Sequence, residues 1–474
     1  MHRKWRALTI VCVAIFMLLL DITVVNVALP DIQKELHTSF TDLQWVVDAY
    51  ALMLATVMLI AGTLGDWLGR KRVFLAGTAF FTAASAACGA AQSPLFLEIA
   101  RGAQGIGGAV MFAVSLAIVA QEFHGPERGT AFGIWGATIG AAVAIGPLVG
   151  GALTEWAGWR WIFFVNVPIG AFCILLGLRV LHESRDESHK GFDLPGFVTL
   201  TGGLFALVLG LLRGNDWGWS SARIVALFAI AVALLVLFCV LQLTRANAML
   251  DLRLFRKPAF TGAQIVAFTV SAGMFSQFLY LTLYLQNVLH YSPIGAGLRF
   301  LPVSLPSFVV SPIAGRLSGR IPIRLLFGIG LALVGLAVLL MYGIDVRDSW
   351  TTLLAGFVLA GIGIGIVNAP LASAAVSVVD PRRAGMAAGI NNTFRQVGIA
   401  TGIAALGAIL QSRAGRAAAS GHGDPARYID GLNAILLVSA IVLFAGAVLG
   451  LALVRTRDFV TSEQAQEQPA QSAA

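Results

Sequence analysis

Three charged residues interrupt apolar runs that are long enough to cross a membrane. Asp21 lies in LDITVVNVALP, Asp48 in WVVDAYAL and Arg101 in LEIARGAQGIGGAVM. A charged group at this depth costs about 3 kcal/mol, so it is found mainly where it serves a function such as proton transfer. A carboxyl group can gain and lose a proton, and a nearby guanidinium stabilises its ionised form. We therefore treat the three residues as candidate proton-coupling groups.

The three side chains are expected at a similar depth. With a rise of about 1.5 Å per residue, Asp21 lies about 12 Å, Asp48 about 7 Å and Arg101 about 9 Å from the outer ends of their helices. All three side chains would lie in the outer half of the membrane and could stabilise one another's charged forms. Three alternatives are open: Asp21 could be a packing residue, Asp48 a helix-start residue near the headgroups, and Glu98, one turn from Arg101, could neutralise that cation.

Further polar residues inside apolar runs predict a substrate cavity. Gln104 shares a helix face with Arg101, because positions three apart project in similar directions. The later segments QFLYLTLYLQNV, GIGIGIVNAP and GINNTFRQVG add tyrosines, amides and one base. Alternatively, the tyrosines belong to an aromatic belt at the membrane interface, and Arg395 is a brace within or between helices. The predicted cavity residues are Asn26, Gln104, Gln277, Tyr280, Tyr284, Asn368, Asn391 and Arg395.

The composition places these residues in a polytopic membrane protein. The 474 residues are 58% hydrophobic and 12% charged, whereas soluble domains are about 25% charged. The net charge of +8 comes from bases spread through short loops, so we expect no nucleic-acid partner. The four cysteines lie inside apolar runs, which argues against both a disulfide framework and a metal site.

Fourteen apolar runs can cross a hydrocarbon layer about 30 Å thick. The amino end, the carboxyl end and the loops on their side hold 21 of the 32 Lys and Arg residues, and the opposite loops hold 8. The positive-inside rule therefore predicts a multi-pass protein of the inner (plasma) membrane with both termini in the cytoplasm. The predicted spans are 7–29, 43–65, 73–91, 95–119, 129–152, 160–180, 194–213, 222–243, 259–285, 293–315, 324–342, 350–371, 384–411 and 430–454.

A turn rich in glycine and basic residues separates the second and third predicted spans. It reads GTLGDWLGRKR over residues 62–72, where the glycines allow a bend and the bases favour the cytoplasmic side. This segment resembles the signature loop between helices 2 and 3 of the major facilitator superfamily. The resemblance implies a latch between two halves of the protein on the cytoplasmic face, formed by Asp66 and Arg70. The matching positions are Gly62, Asp66, Gly69, Arg70 and Lys71.

Three more segments resemble motifs of that superfamily. LDITVVNVALP is similar to the helix 1 motif of the fourteen-helix drug:proton antiporters of the EmrB/QacA type, and LEIARGAQGIGGAVM to the family's helix 4 motif. The resemblance implies that Arg101 faces the central cavity and takes part in proton coupling. In span 5, four residues resemble a motif that accompanies export by antiport, although a generic small-residue interface is the alternative. These residues are Gly146, Pro147, Gly150 and Gly151.

An internal repeat predicts the domain organisation. GTLGDWLGRKRVF from Gly62 is echoed by GRLSGRIPIRLLF from Gly315, 253 residues later. A parallel repeat of this kind is typical of the major facilitator fold, with two six-helix halves related by an axis along the membrane normal. The predicted parts are an N-terminal half (1–182), a linker with an inserted two-helix hairpin (183–258), a C-terminal half (259–457) and a disordered cytoplasmic tail (458–474).

No Walker-type nucleotide-binding signature is present, so we expect transport driven by a gradient. The resemblance implies a proton-coupled multidrug efflux transporter for lipophilic or cationic compounds; the alternative is a dedicated exporter of one antibiotic, metabolite or lipid. An enzyme is not expected, because the seven histidines lie mostly in or next to loops, and neither is a metal or another cofactor. The expected partners are small-molecule drugs or metabolites, protons and membrane lipids, and the protein is expected to be a monomer.

Overall fold

The apolar runs of the sequence all form helices. The structure, a computed structural model, describes residues 3–38, 40–124, 126–185, 193–245, 248–380, 383–415 and 424–454. Within these ranges the regular elements are helices and there is no β-strand. The predicted all-α architecture is therefore confirmed. The predicted tail 458–474 lies outside the described residues.

Each predicted span coincides with one helix or with a short series of helices. Two 3-10 helices (Leu252–Arg256 and Trp350–Leu353) and two π-helical segments (Ser271–Phe275 and Tyr284–Val288) join or extend them. In chain order the α-helices are α1 (Arg3–Leu36), α2 (Phe40–Leu68), α3 (Arg70–Gly89), α4 (Pro94–Glu122), α5 (Pro126–Ala157), α6 (Trp161–Phe164), α7 (Asn166–Val180), α8 (Leu194–Trp217), α9 (Ala222–Thr244), α10 (Pro258–Val270), α11 (Gln277–Leu283), α12 (Pro293–Arg299), α13 (Leu301–Leu317), α14 (Ile323–Leu340), α15 (Leu354–Ser377), α16 (Ala384–Ala414) and α17 (Pro425–Leu453).

Twelve helical segments of the described residues are long and apolar enough to cross a bilayer. The two predicted spans that are not among them are 129–152 and 293–315. The first corresponds to α5, which has 32 residues, and the second to α12 and α13, of which α13 is an apolar helix of 17 residues. The prediction of many membrane-spanning helices is thus confirmed, and the count of fourteen stays a prediction.

In the described part of the chain, buried apolar side chains form two large clusters. One is built mainly from α1 to α5 and α7, with Leu18, Phe81 and Trp135 among its buried members. The other is built mainly from α10 to α17, with Phe327 and Leu443 among its buried members. Because lipid is as apolar as these side chains, close van der Waals packing between helices stabilises each cluster rather than water exclusion.

The two groups of helices make close backbone contacts, among them one at Gly62 and one at Gly129. A Cβ atom at Gly62 of α2 would lie 2.1 Å from the carbonyl oxygen of Gly385 in α16. A Cβ atom at Gly129 of α5 would lie 2.0 Å from that of Gly315 in α13. Gly315 follows Gly62 by 253 residues and Gly385 follows Gly129 by 256. The two contacts are therefore equivalent under the internal repeat, and both lie at the face where α1 begins and α2 ends, here called the amino-terminal face.

The hairpin of α8 and α9 lies against this assembly, with α8 between α2 and α16. A small apolar cluster joins Val208 of α8 to Leu52 and Ala55 of α2 and to Ala400 of α16. Further towards the end of α8, Asn215 Nδ2 donates a hydrogen bond to the carbonyl oxygen of Ala404 in α16, at 3.2 Å. The first helix of the hairpin thus contacts both groups of helices, whereas α9 exposes most of its surface.

Candidate functional site

Asp21 and Arg101 form a buried ion pair between α1 and α4. Each residue is 1% exposed, and Arg101 Nη1 donates to Asp21 Oδ2 at 2.6 Å. The other carboxylate oxygen, Oδ1, accepts hydrogen bonds from Gln104 Nε2 at 2.9 Å and from Asn166 Nδ2 at 3.0 Å. The carboxylate therefore has one cationic and two neutral partners, which compensate for its removal from water.

Arg101 is held in place by α2 as well as by the ion pair. Its Nε donates to the carbonyl oxygen of Val46 at 3.0 Å, and its guanidinium carbon lies 4.2 Å from the centre of the Tyr50 ring. Arg101 Nη1 also donates to Gln104 Oε1 at 2.7 Å. None of the hydrogen bonds described for Arg101 goes to Glu98. The alternative in which Glu98 neutralises Arg101 within α4 is therefore not what the structure shows.

Asn166, which is not among the residues predicted from the sequence, completes this site. Asn166 begins α7, is fully buried, and its Nδ2 also donates to Ser85 Oγ at 2.9 Å. Its Oδ1 has no hydrogen-bond partner among the described residues. The signal was an amide inside the apolar run FFVNVPIG. An unused acceptor next to a carboxylate is significant, because a protonated carboxyl group must donate a hydrogen bond to some partner.

Asp48 does not share this site; it pairs with Arg213 of α8. Arg213 Nη2 lies 3.1 Å from Asp48 Oδ2, and the Arg213 side chain is 1% exposed. Arg213 is the last residue of the predicted span 194–213, whereas α8 continues to Trp217. The expectation that one cluster joins Asp48 to Asp21 and Arg101 is therefore corrected. Two acids have two different arginine partners.

Three of the predicted cavity residues in the second helix group are buried, and two of them form hydrogen bonds with neighbouring helices. Gln277 Nε2 donates to Ser439 Oγ at 2.6 Å, and the Tyr280 hydroxyl donates to the carbonyl oxygen of Ile403. Tyr284, in the second π-helical segment, is 1% exposed. Gln277 and Tyr280 brace α11 against α17 and α16, and their described hydrogen bonds make no connection with the Asp21 site.

A second polar group lies on α10, α15 and α16. Asn391 Nδ2 donates to Gln264 Oε1 at 3.1 Å, and Arg395 Nη1 to Asn368 Oδ1 at 3.4 Å. No carboxylate among the described residues forms an ion pair with Arg395. Asn391 and Arg395, both on α16, thus bind side chains of the neighbouring helices α10 and α15. The side chain of Asn26, the remaining predicted cavity residue, lies outside the described part of the chain.

Asp66 connects α2 to the beginning of α16. Asp66 Oδ1 accepts hydrogen bonds from Arg70 Nη2 at 2.8 Å and from the backbone N–H of Gly385 at 3.0 Å. Asp66 Oδ2 accepts from the N–H of Met386 at 2.8 Å. The N–H groups of the first turn of a helix have no partner within it, so a carboxylate placed there satisfies them. The chain also turns at Gly69 with φ +110°, a backbone conformation that favours glycine.

The remaining motif residues make close helix contacts. Lys71 Nζ donates to the carbonyl oxygen of Leu178 at 2.7 Å, which joins α3 to α7. A Cβ atom at Gly146 of α5 would lie 1.8 Å from Thr23 Oγ1, and one at Gly150 3.0 Å from Val24 Cγ1. The glycines thus let α5 pack closely on α1, while Gly151 faces Ile294 of α12, 2.6 Å from where its Cβ would lie. The side chain of Pro147 lies outside the described residues.

The comparisons with known proteins agree with this architecture. A family model of the Major Facilitator Superfamily matches residues 11–403. The multidrug resistance protein Stp of Mycobacterium tuberculosis is 38% identical over 397 residues, which are 84% of this chain and 74% of that protein. The tetracenomycin C resistance and export protein of Streptomyces glaucescens is 33% identical over 414 residues, 87% of this chain and 77% of that protein.

A solved structure has the same fold. The crystal structure of the human organic anion transporter MFSD10 (TETRAN) aligns with a TM-score of 0.67 at 17% identity and covers 95% of this chain and 100% of that one. At this level of identity the likeness concerns the arrangement of helices alone.

Proposed function

Because this chain belongs to the Major Facilitator Superfamily, we propose that it exports lipophilic or cationic compounds from the cell in exchange for protons. The observation that carries the proposal is the buried pair of Asp21 and Arg101, with two amides on the same carboxylate. A titratable acid inside a membrane protein, held by partners that can change roles, is what proton coupling requires. The relatives named for multidrug resistance and for antibiotic export support the direction of transport.

In the proposed cycle, ionised Asp21 is bound by Arg101, Gln104 and Asn166. Protonation from the outer side removes the negative charge and weakens the attraction to Arg101. The protonated group can then donate to an amide oxygen, for which Asn166 Oδ1 is available. Arg101 is freed to change its contacts, and a cationic substrate loses the charge that attracts it. Release of the proton towards the cytoplasm restores the pair.

The proposed topology has fourteen membrane helices, two six-helix halves and the inserted hairpin, with both termini in the cytoplasm and the protein acting as a monomer. The repeat-related glycine contacts support the division into residues 1–182 and 259–457, with 183–258 between them. The excess of basic residues on the side of the termini supports the orientation. With that orientation, the closed amino-terminal face is the cytoplasmic one, and Asp66 and Arg70 act as its latch.

Exchange of a substrate for protons in reconstituted vesicles tests the proposed function. Purified protein in liposomes with an imposed pH gradient is expected to move ethidium, a lipophilic cation, against its concentration gradient. We expect Asp21→Asn to fold normally but to lose gradient-driven transport, because the amide cannot bind and release a proton. Asp31→Asn, on the exposed end of the same helix, is the matched control and should retain it. Full activity of Asp21→Asn would overturn the assignment.

A dedicated exporter of one compound is the second candidate. The relative of 33% identity that is named for tetracenomycin C export favours it. Vesicle uptake of several unrelated lipophilic cations and of neutral aromatic compounds separates the two candidates. Transport of many members of the panel supports multidrug efflux, and transport of one chemical type supports the dedicated exporter.

A further inference from the structure

Arg213 is a buried cation supplied by the inserted hairpin. Its guanidinium lies 3.1 Å from Asp48 Oδ2 and 4.2 Å from the centre of the Trp45 ring, both on α2. Arg213 Nη1 donates to Gln44 Oε1 at 3.3 Å. Its Nε has no hydrogen-bond partner among the described residues. An arginine keeps its proton under all ordinary conditions, so its charge must be balanced by neighbours.

Asp48 is the main source of that balance. Asp216, one turn further along α8, lies 3.5 Å from Arg213 Nη1 but its side chain is 41% exposed, so water weakens its interaction. Glu98 of α4 interacts electrostatically with Arg213 and with Asp42 of α2. The Asp48 side chain is only 22% exposed, and a shielded pair interacts more strongly than an exposed one.

The contacts of α8 place this ion pair next to two helices that move relative to each other in the proposed cycle. Asp48 ties α8 to α2, while Asn215, two residues after Arg213, binds the backbone of Ala404 in α16. The same two helices, α2 and α16, meet directly at the amino-terminal face through Asp66 and Gly385. When the amino-terminal face opens, α2 and α16 must separate there. The contacts that α8 makes with these two helices near its carboxyl end must then change as well.

We propose that Arg213 is a positioning residue that couples the inserted hairpin to proton binding at Asp48. Ionised Asp48 fastens α8 to α2; protonated Asp48 releases Arg213, so that α8 can move with α16. The titratable groups facing the pair are Asp42 and Asp48 from α2, Glu98 from α4 and Asp216 from α8; α16 contributes a backbone carbonyl. The inference rests on the proposed proton-coupled export, and it gives the hairpin a part in that cycle.

The test is a pH titration of the Asp48 carboxyl group in the reconstituted full-length protein. The infrared band of protonated carboxyl groups is followed against pH, and the component lost in Asp48→Asn is assigned to Asp48. We expect Arg213→Gln to move the midpoint of this component upward by about one to three pH units, because an adjacent cation no longer favours the ionised form. Arg213→Lys should restore at least half of the shift. Arg223→Gln, in the exposed first turn of α9, should leave it unchanged.

An unchanged midpoint in Arg213→Gln would overturn the inference. If that variant does not fold, Asp48→Asn tests the same coupling: its α8 amides should exchange hydrogen faster than those of the parent, while those of α9 do not. Equal exchange in α8 would also overturn it. Parent protein that shows no pH-driven transport of ethidium or of any other compound in the panel would instead refute the proposed function, so the two failures are distinguishable.

Discussion

At the scale of single residues, the Asp21 site combines a fixed cation with adaptable amides. Arg101 always carries its charge, so the energy of the site depends on whether Asp21 is ionised. Gln104 and Asn166 can each present either an N–H donor or a carbonyl acceptor, so they can follow the protonation state of the carboxyl group. A pair of charges alone would hold the acid ionised, whereas the amides provide partners for both of its forms.

The ion pair makes a prediction about stability. We expect Arg101→Gln to lower the free energy of unfolding by about 3–5 kcal/mol, because it leaves an uncompensated carboxylate. The double variant Asp21→Asn/Arg101→Gln should recover most of this loss, since neither charge remains, and yet should not transport. Chemical unfolding in mixed micelles measures the first effect and vesicle transport the second.

Arg324→Gln, at the exposed start of α14, is the control for loss of a positive charge and should unfold like the parent. A double variant as unstable as Arg101→Gln alone would show that Asp21 is not the group left uncompensated.

The sequence predicted part of this site. Asp21 and Arg101 were found because a charge in an apolar run is costly and therefore conspicuous. Asn166 was missed because one amide in such a run carries no comparable cost. Arg213 was missed because its position near the end of an apolar run is equally typical of a loop base, and only the packing of α8 shows that it is buried against Asp48.

At the scale of helices, backbone contacts at glycines decide how closely the two helix groups approach. Apolar periodicity predicted the helices and their approximate limits. It could not predict that α8 lies between α2 and α16, because a mostly apolar helix has many possible neighbours. The glycines of the repeat did indicate where the two helix groups meet, since the first and second copies each place a glycine at a contact between helices.

Enlarging one of these glycines should hold the amino-terminal face open. A Cβ atom at Gly315 would lie 2.0 Å from the carbonyl oxygen of Gly129, so we expect Gly315→Ala to separate α5 from α13. Gly319→Ala is the matched control, since its Cβ would meet nothing nearer than 3.8 Å. We expect Gly315→Ala to increase the rate at which a membrane-impermeant thiol reagent labels a cysteine placed at Thr130, and to slow transport.

Equal labelling of the two alanine variants would contradict this interpretation. It would mean that α5 and α13 shift along each other and keep the face closed.

At the scale of the whole molecule, the amino-terminal face is closed by contacts that all join the first helix group to the second. Among the described residues they include the two glycine contacts, the hydrogen bonds from Gly385 and Met386 to Asp66, and a hydrogen bond at 3.4 Å from Arg316 Nε to Thr130 Oγ1. Opening of this face in alternating access requires these contacts to break, because the two helix groups must move apart there.

A cross-link across this face should therefore stop transport. With the native cysteines replaced, Thr130→Cys/Arg316→Cys joined by a short bis-maleimide is expected to lose pH-driven transport. A cleavable reagent of the same length should allow recovery after cleavage. Lys4→Cys/Glu127→Cys, at an ion pair inside the first helix group, is the control, because a link within one helix group leaves the two groups free to move apart. Continued transport by the fully cross-linked Thr130–Arg316 pair would show that this face does not open during the cycle, and substrate would then have to reach the Asp21 site by another route.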